Sequence, residues 1–249
     1  MKTAFLFSGF TRGFQHGFES MREHVFNNFG ECHYYFYITD DSDSDWRYSS
    51  SLENLKSNFS SVVWPSKYFG ITSFSLRNCE IIQNLAKNEP TYVQFGEPLT
   101  ANPDNDTQYN NINHCNQWNN VLQVKEMMVR RGIEYDYVCR IRPDLFFLKP
   151  VLPSLIQDNS VMVPALGGWG GINDKFAIGK MEPMIYYLDY YLSDEYLLTP
   201  EKLPPELRGR KLNPEFKLAQ RMANSPYSAV PSNDISARII NPDGSLRDH

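Results

Sequence analysis

The chain has 249 residues, 41% of them hydrophobic and 14% aromatic, which is enough for one sizeable core. Its formal net charge is −5 and its one basic cluster is residues 208–211, so it lacks the basic stripe of a nucleic-acid-binding protein. There is no signal peptide and no apolar run long enough to span a membrane, so we expect a cytoplasmic protein. A small anionic ligand would have to be held by local arginines or by a metal ion.

The hydrophobic pattern alternates between strand and helix periods, which is typical of an α/β protein. Residues 88–106 carry three prolines and predict a long connection, and about the last 25 residues are expected to wrap the surface. No internal repeat or clean domain break is visible, so we expect one domain over 1–249. In chain order the pattern predicts a strand over 3–7, a helix from 14 to about 30, strands over 33–39 and 62–64, helices over 76–87 and 108–131, strands over 137–141 and 161–164, and helices over 182–192 and from 213 onward.

The first strand–helix–strand unit carries the first candidate binding residues. Ser8 and Gly9 close the first strand, and Arg12 follows in the loop where nucleotides dock in such folds. Backbone N–H groups and a cation at a helix entrance are suited to binding phosphate. Asp40 comes directly after the second strand and is a candidate contact for a nucleoside.

The most informative stretch is residues 135–147. Tyr137, Cys139 and Ile141 alternate with Val138, Arg140 and Arg142, which is the two-residue period of a strand. Pro143 has no N–H for sheet pairing, so the strand should end there. Asp144 is therefore delivered at the carboxyl end of an inner strand, beside Arg140 and Arg142, where open α/β sheets bind ligands. A carboxylate beside two guanidinium groups is suited to holding a metal ion and the phosphates it bridges, which indicates nucleotide-sugar chemistry. A structural ion pair is the alternative interpretation.

Two further carboxylates stand out in the second half of the chain. Asp174 follows a glycine-rich turn and is a candidate catalytic base, acceptor-hydroxyl contact or helix cap. Glu215 lies just inside a predicted helix, where capping is the simpler role. The four cysteines have no metal-type spacing and the five histidines form no i,i+4 pair. No Ser/His/Asp pattern or phosphate-binding P-loop is present.

Four segments resemble small GT-A-type glycosyltransferases of bacterial polysaccharide clusters and large DNA viruses. Residues 7–12 resemble the family's opening strand and loop, and residues 135–145 are the more specific match. Residues 173–179 are the third match, and Pro214-Glu215 is a weaker fourth. Together they follow the expected order over most of the chain. The resemblance implies an α/β fold of the GT-A-like (Rossmann-like) type, with a mixed, mostly parallel sheet flanked by helices.

The resemblance also implies a nucleotide-diphosphate sugar donor, by family habit a UDP-sugar, together with Mn²⁺ or Mg²⁺ and a glycan hydroxyl as acceptor. Residues 142–144 take the place of the usual Asp-x-Asp motif, and Arg142 replaces its first acid. Either Asp144 ligates the metal alone or Arg142 partly substitutes for the metal's charge. Residues 1–145 are expected to bind the nucleotide sugar and 146–249 the acceptor. The expected donor-binding residues are Ser8, Gly9, Arg12, Asp40, Arg140 and Arg142, and an inverting enzyme would use Asp174 or Glu215 as its base.

Two other functional classes remain open. A sugar-nucleotidyltransferase shares this fold, and residues 9–12 partly match its Gly-x-Gly-Thr-Arg loop, although the first Gly is missing and no Lys-Pro follows. Release of pyrophosphate would identify that class. A non-catalytic glycan-binding module would bind oligosaccharide without nucleotide, and it would leave the arginines beside Asp144 unexplained.

Overall fold

The structure, a computed structural model, describes residues 1–9, 13–39, 76–96, 112–168, 170–189 and 214–247. Short 3-10 turns occur at Phe26–Asn28 and Pro153–Leu155. The helices of the described part are α1 (Phe14–His24), α2 (Leu76–Asn88), α3 (Ile112–Val129), α4 (Met181–Leu188) and α5 (Pro214–Ala223). The strands there are β1 (Lys2–Gly9), β2 (Glu31–Thr39), β3 (Thr91–Gly96), β4 (Tyr137–Ile141), β5 (Leu145–Phe147), β6 (Ser160–Pro164), β7 (Phe176–Gly179), β8 (Ser228–Ser232) and β9 (Ala237–Ile239).

Seven of these strands form one mixed sheet in the order β3-β2-β1-β4-β7-β6-β8, and β5 pairs with β9 in a small antiparallel sheet. Strand β1 is parallel to β2 and β4, β2 to β3, and β6 to β8. Strand β7 is antiparallel to both of its neighbours. The expected α/β fold with a mostly parallel mixed sheet is confirmed. One consequence is that the start of β7 lies at the same edge as the end of β4.

Helices cover both faces of the sheet because alternate residues of the inner strands are apolar on both sides. Phe5 and Phe7 of β1 pack into a core with α1 and α2, and the ring of Phe7 stacks on Phe36 of β2 at 4.5 Å. Leu6 of β1 faces the other core, which contains Trp118 of α3 and apolar residues of α4 and α5. The inner strands of the sheet are thus held between two packed layers. No helix in the described ranges is long and apolar enough to cross a membrane.

Two predictions in the first half of the chain are wrong. The first helix ends at His24 and not near Gly30, because Val25 leaves the helical conformation with φ −120° and ψ −68° and a 3-10 turn follows. The expected long connection over 88–106 contains β3, whose residues alternate between buried and half-buried along the outer side of β2. The prolines that suggested a loop flank this edge strand instead of interrupting it. The strand predicted over 62–64 lies outside the described residues.

The C-terminal segment is not a surface wrap. Strand β8 extends the main sheet beside β6, and β9 pairs with β5. Pro231 lies inside β8, and it is tolerated there because β8 is at the edge of the sheet, where a missing N–H breaks no inner pairing. The end of the chain is thereby brought back to the carboxyl end of β4.

Candidate functional site

A cavity of about 300 Å³ opens at the carboxyl ends of β1 and β4. We call it the carboxyl-edge cavity, and it lies where open α/β sheets bind their ligands. One wall comes from β1, β4 and α3, and the other comes from the residues at and after β9. Its lining residues are Ser8, Gly9, Gln117, Asn120, Arg140, Arg142, Asp144, Ile239, Ile240, Asn241, Pro242 and Arg247.

The end of β4 places the acidic and basic side chains of this cavity. Regular pairing stops after Ile141, and the backbone N–H of Arg142 donates to the carbonyl of Lys175 at 2.9 Å. A tight turn follows at Pro143, and the N–H of Leu145 closes it by donating to the carbonyl of Arg142 at 3.2 Å. Within this turn, Arg142 Nη2 donates to Asp144 Oδ2 at 2.7 Å. The strand end predicted from the sequence and the proximity of Asp144 to Arg142 are both confirmed.

Three buried polar atoms of residues that line the cavity have no hydrogen-bond partner in the structure's described part. They are Ser8 Oγ, Arg140 Nη1 and Asp144 Oδ1. A buried polar group left without a partner costs about 1–3 kcal/mol, and more if it is charged. This cost should be largest for Arg140, which is charged and only 2% exposed. The described residues therefore leave buried hydrogen-bonding capacity unmet beside the cavity, on residues that line it.

A buried cluster of Asp174, Lys175 and Glu215 lies beside the cavity. Lys175 Nζ donates to Asp174 Oδ1 at 3.1 Å and to Glu215 Oε1 at 3.0 Å. The second oxygen of Asp174 accepts a hydrogen bond from Gln117, which also lines the cavity. Neither carboxylate is a lining residue itself. The structure thus brings the two predicted bases together, but through a shared lysine and one layer behind the cavity wall.

The turn before β7 and the start of α5 hold this cluster in place. The N–H of Ile172 donates to the carbonyl of Glu215 at 2.9 Å. Gly171 packs directly against that carbonyl, so a Cβ at this position would overlap it. Asn173 Oδ1 accepts from the backbone N–H of Lys175 at 2.9 Å, and Tyr187 donates to the carbonyl of Asn173 at 3.0 Å. These contacts explain why Gly171 and Asn173 come just before Asp174 and Lys175 in the sequence.

The two carboxylates differ in acidity. Burial alone would raise the pKa of Asp174, but the positive charges of Lys175 and then Arg140 outweigh it and hold that pKa below its ordinary value. For Glu215, burial and then the negative charge of Asp174 raise the pKa above its ordinary value. Glu215 is therefore the stronger base of the two, and Asp174 acts as a fixed negative charge near the arginines.

Five of the predicted binding residues meet at the carboxyl-edge cavity, namely Ser8, Gly9, Arg140, Arg142 and Asp144. The predicted Arg12 and Asp40 lie outside the described residues. Sequence reasoning missed Gln117 and Arg247. Gln117 interrupts the apolar face of α3, which was a weak signal, whereas Arg247 reaches the cavity only through the fold of the C-terminal segment and had none.

The residues of the cavity fit a divalent cation poorly. Among the described residues, no three His, Cys, Asp or Glu side chains come together as a metal-ligand set. Asp144 offers Oδ1 alone, since its Oδ2 is paired with Arg142, and Arg140 lines the same space. Magnesium and manganese prefer several oxygen ligands, and neighbouring guanidinium groups repel them. The Mn²⁺ or Mg²⁺ expected at Asp144 stays a prediction.

A larger cavity of about 420 Å³ lies between α1 and α2, near the amino end of β2. Phe18, Phe26, Ile81 and Leu85 supply much of its apolar lining. None of its described lining residues carries a buried polar atom without a partner. It also lies away from the edge where the strands' carboxyl ends meet. The carboxyl-edge cavity is the better candidate for a functional site.

The chain matches no protein-family model, and a comparison with curated proteins finds no match either. Its function must therefore be argued from the residues of the carboxyl-edge cavity and the charged cluster beside it.

Proposed function

We propose that this chain is a glycosyltransferase of GT-A-like fold that moves a sugar from a nucleotide-diphosphate donor, a UDP-sugar first, to a hydroxyl of a glycan acceptor. The observation that carries the proposal is the carboxyl-edge cavity, which Arg140, Arg142 and Asp144 line at the carboxyl end of β4. Both of the segments with the clearest family resemblance contribute described residues to this cavity, the first through Ser8 and Gly9 and the second through Arg140, Arg142 and Asp144. A mixed, mostly parallel sheet also agrees with such a fold.

The end of β1 supports close approach of a phosphate. Gly9 has φ +101°, a conformation that L side chains rarely adopt, so glycine is required there. The backbone can then come near a ligand without a side chain in between. Ser8 adds a hydroxyl that has no partner among the described residues. Together they provide neutral hydrogen-bonding groups next to the charged wall formed by β4.

The chemistry of sugar transfer needs stabilisation of the negative charge that develops on the departing diphosphate. Arg140 and Arg142, which line the cavity, would supply it, and preorganised cations are effective at this task. Asp144 holds Arg142 through Oδ2 and so fixes the direction of that guanidinium group. Asp174 and Glu215 stay predictions as the base of an inverting reaction; the raised pKa of Glu215 favours proton acceptance, whereas neither carboxylate lines the cavity.

A thermal-shift panel tests the donor site directly. UDP-, GDP-, CMP- and dTDP-sugars are each added with Mn²⁺ and with EDTA, and one nucleotide family is expected to raise the melting temperature. At a ligand concentration of 100 Kd the gain is about 2.7 kcal/mol, or about 5–11 °C for a protein of this size. No shift with any nucleotide would contradict the proposal and favour a glycan-binding module. Pyrophosphate release from a nucleoside triphosphate and a sugar phosphate would favour the nucleotidyltransferase instead.

Replacing Asp144 by Asn tests the role of this residue in the site. Transfer of labelled sugar from the donor found in the panel should be abolished, because Asn keeps the shape but loses the charge that orients Arg142. The melting temperature of the free protein should change little. Asp158→Asn is the matched control, since Asp158 is exposed on the loop before β6. Full transfer activity in Asp144→Asn would reject the assignment of this site.

A further inference from the structure

We infer that the donor's diphosphate is neutralised by Arg140, Arg142 and Arg247, without a divalent cation. This inference rests on the proposed function and names the charge chemistry of the same cavity. It also assigns a binding role to the C-terminal segment, which no motif in the sequence indicated.

The charges of the described lining residues match a diphosphate diester. Three guanidinium groups and one carboxylate line the cavity, so its wall carries two positive charges in excess. The diphosphate of a nucleotide sugar carries two negative charges. The neighbouring cluster of Asp174, Lys175 and Glu215 adds at most one negative charge, and the raised pKa of Glu215 works against even that. The site stays positive without a metal ion.

Arg140 is the central group of this arrangement. It is almost completely buried, and its Nη1 has no hydrogen-bond partner among the described residues. The charge of Asp174 acts on it from one side, while the carboxylate oxygens of Asp174 accept hydrogen bonds from Gln117 and Lys175. Because Arg140 lines the cavity, a phosphate bound there would lie beside its positive charge. Planar guanidinium groups suit phosphate oxygens well because they donate from a fixed fork.

Asp144 is poorly placed to be a metal ligand. Its Oδ2 accepts from Arg142 Nη2 at 2.7 Å, and a metal bound at this carboxylate would sit against the same guanidinium group. Binding a cation there would break the pair and leave Arg142, whose side chain is 30% exposed, without its carboxylate. Asp144 is better explained as the residue that positions Arg142 for the diphosphate.

Arg247 completes the cavity from the opposite wall. Its backbone N–H donates to the carbonyl of Ile239 at 2.8 Å, which ties the chain end back to β9. The turn between them is fixed by the N–H of Gly244, which donates to Asn241 O at 2.9 Å, and by a hydrogen bond between His16 and the carbonyl of Pro242. Arg247 itself is exposed, so its side chain can be changed without disturbing a core.

Calorimetric titration of the full chain with UDP, GDP and inorganic pyrophosphate, each in EDTA and in Mn²⁺, tests the inference. We expect a diphosphate-bearing ligand to bind with an affinity that differs less than about threefold between the two conditions, which is under 1 kcal/mol. Arg247→Gln should weaken that affinity about tenfold, the loss expected for one charged contact, and leave the melting temperature of the free protein unchanged. Arg238→Gln, which alters an exposed arginine of β9, is the matched control and should bind normally.

The outcomes separate the inference from the proposed function. Binding or sugar transfer that appears only with Mn²⁺ would overturn the metal-free site while supporting the transferase. Metal-independent binding that Arg247→Gln does not weaken would remove Arg247 from the site and overturn the three-arginine arrangement. No binding of any of the three ligands under either condition would overturn the inference together with the proposed function.

Discussion

Lys175 offers the sharpest test of the charged cluster beside the cavity. Its side chain is 10% exposed, and it lies between Asp174 at 3.1 Å and Glu215 at 3.0 Å, whose side chains are 5% and 9% exposed. Lys175→Met keeps much of the side-chain length but removes the cation that the two carboxylates share. Removing one partner of a buried ion pair costs about 3–5 kcal/mol. For a chain of this length that corresponds to a melting temperature lower by about 6–20 °C.

The loss should depend on pH with a definite sign. In the wild type, the charge of Lys175 lowers the pKa of Glu215 and so opposes the effects of burial and of Asp174. Without Lys175, the pKa of Glu215 should therefore rise further. A carboxyl group whose pKa is raised in the folded state favours folding when it is protonated, and it loses that contribution as pH rises through the folded pKa. The destabilisation should therefore be largest near pH 8 and smaller near pH 5. It can shrink by at most about 1.4 kcal/mol for each pH unit over which only the variant's Glu215 is protonated.

Urea unfolding at pH 5 and pH 8 measures both effects. The double variant Lys175→Met, Glu215→Gln also removes the negative charge of Glu215 but keeps that of Asp174. It should therefore recover about half of the loss in the free energy of unfolding at pH 8. Lys149→Met changes an exposed lysine and should stay within about 0.5 kcal/mol of the wild type. A Lys175→Met variant that loses less than about 1 kcal/mol at pH 8 would refute the assignment of these three groups as a buried, mutually dependent cluster.

Two further predictions test the packing around the site and the state of the core thiols. Gly171→Ala should lower the free energy of unfolding by about 1–3 kcal/mol, because its Cβ would overlap the carbonyl at the start of α5; chemical denaturation measures this, and an unchanged midpoint would contradict the close packing. Burial raises the pKa of Cys32 to about 11 and that of Cys139 well above its ordinary value, so neither thiol should react with iodoacetamide at pH 8 until the protein unfolds. Peptide mapping by mass spectrometry would show this residue by residue, and rapid labelling of either in the native protein would count against the described core.

The part of the site that lies on one strand end could be predicted from the sequence, because its causes are local. Alternation up to Pro143 fixed where β4 stops, and the order of residues after it placed Asp144 next to Arg142. The opposite wall had no such local cause. Arg247 reaches the cavity because β9 pairs with β5 in a small sheet, and pairing between strands so far apart in sequence leaves no periodic signal.

The same distinction applies to the neighbours of Asp174. The sequence shows a carboxylate after a glycine-rich turn and predicts a catalytic base, an acceptor-hydroxyl contact or a helix cap, with no indication of a contact to Glu215. Lys175 is the next residue, but its contact with Glu215 spans 40 positions and depends on how α5 packs against that turn. Because β7 runs antiparallel to β4, the residues before it arrive at the carboxyl edge, which the sequence pattern alone did not indicate.

The balance of buried charge gives Asp174 and Glu215 different roles in the proposed reaction. A buried guanidinium group such as Arg140 is stable only near negative charge, and Asp174, with its pKa held low, supplies that charge even before a ligand binds. A carboxylate that is held ionised by neighbouring cations is a weak proton acceptor. Glu215 has the opposite property, since burial raises its pKa and it shares a single lysine with Asp174. If transfer inverts the anomeric configuration of the sugar, Glu215→Gln should therefore lower the turnover of the acceptor more than the affinity for the donor. Asp174→Asn should instead weaken donor binding through its effect on Arg140.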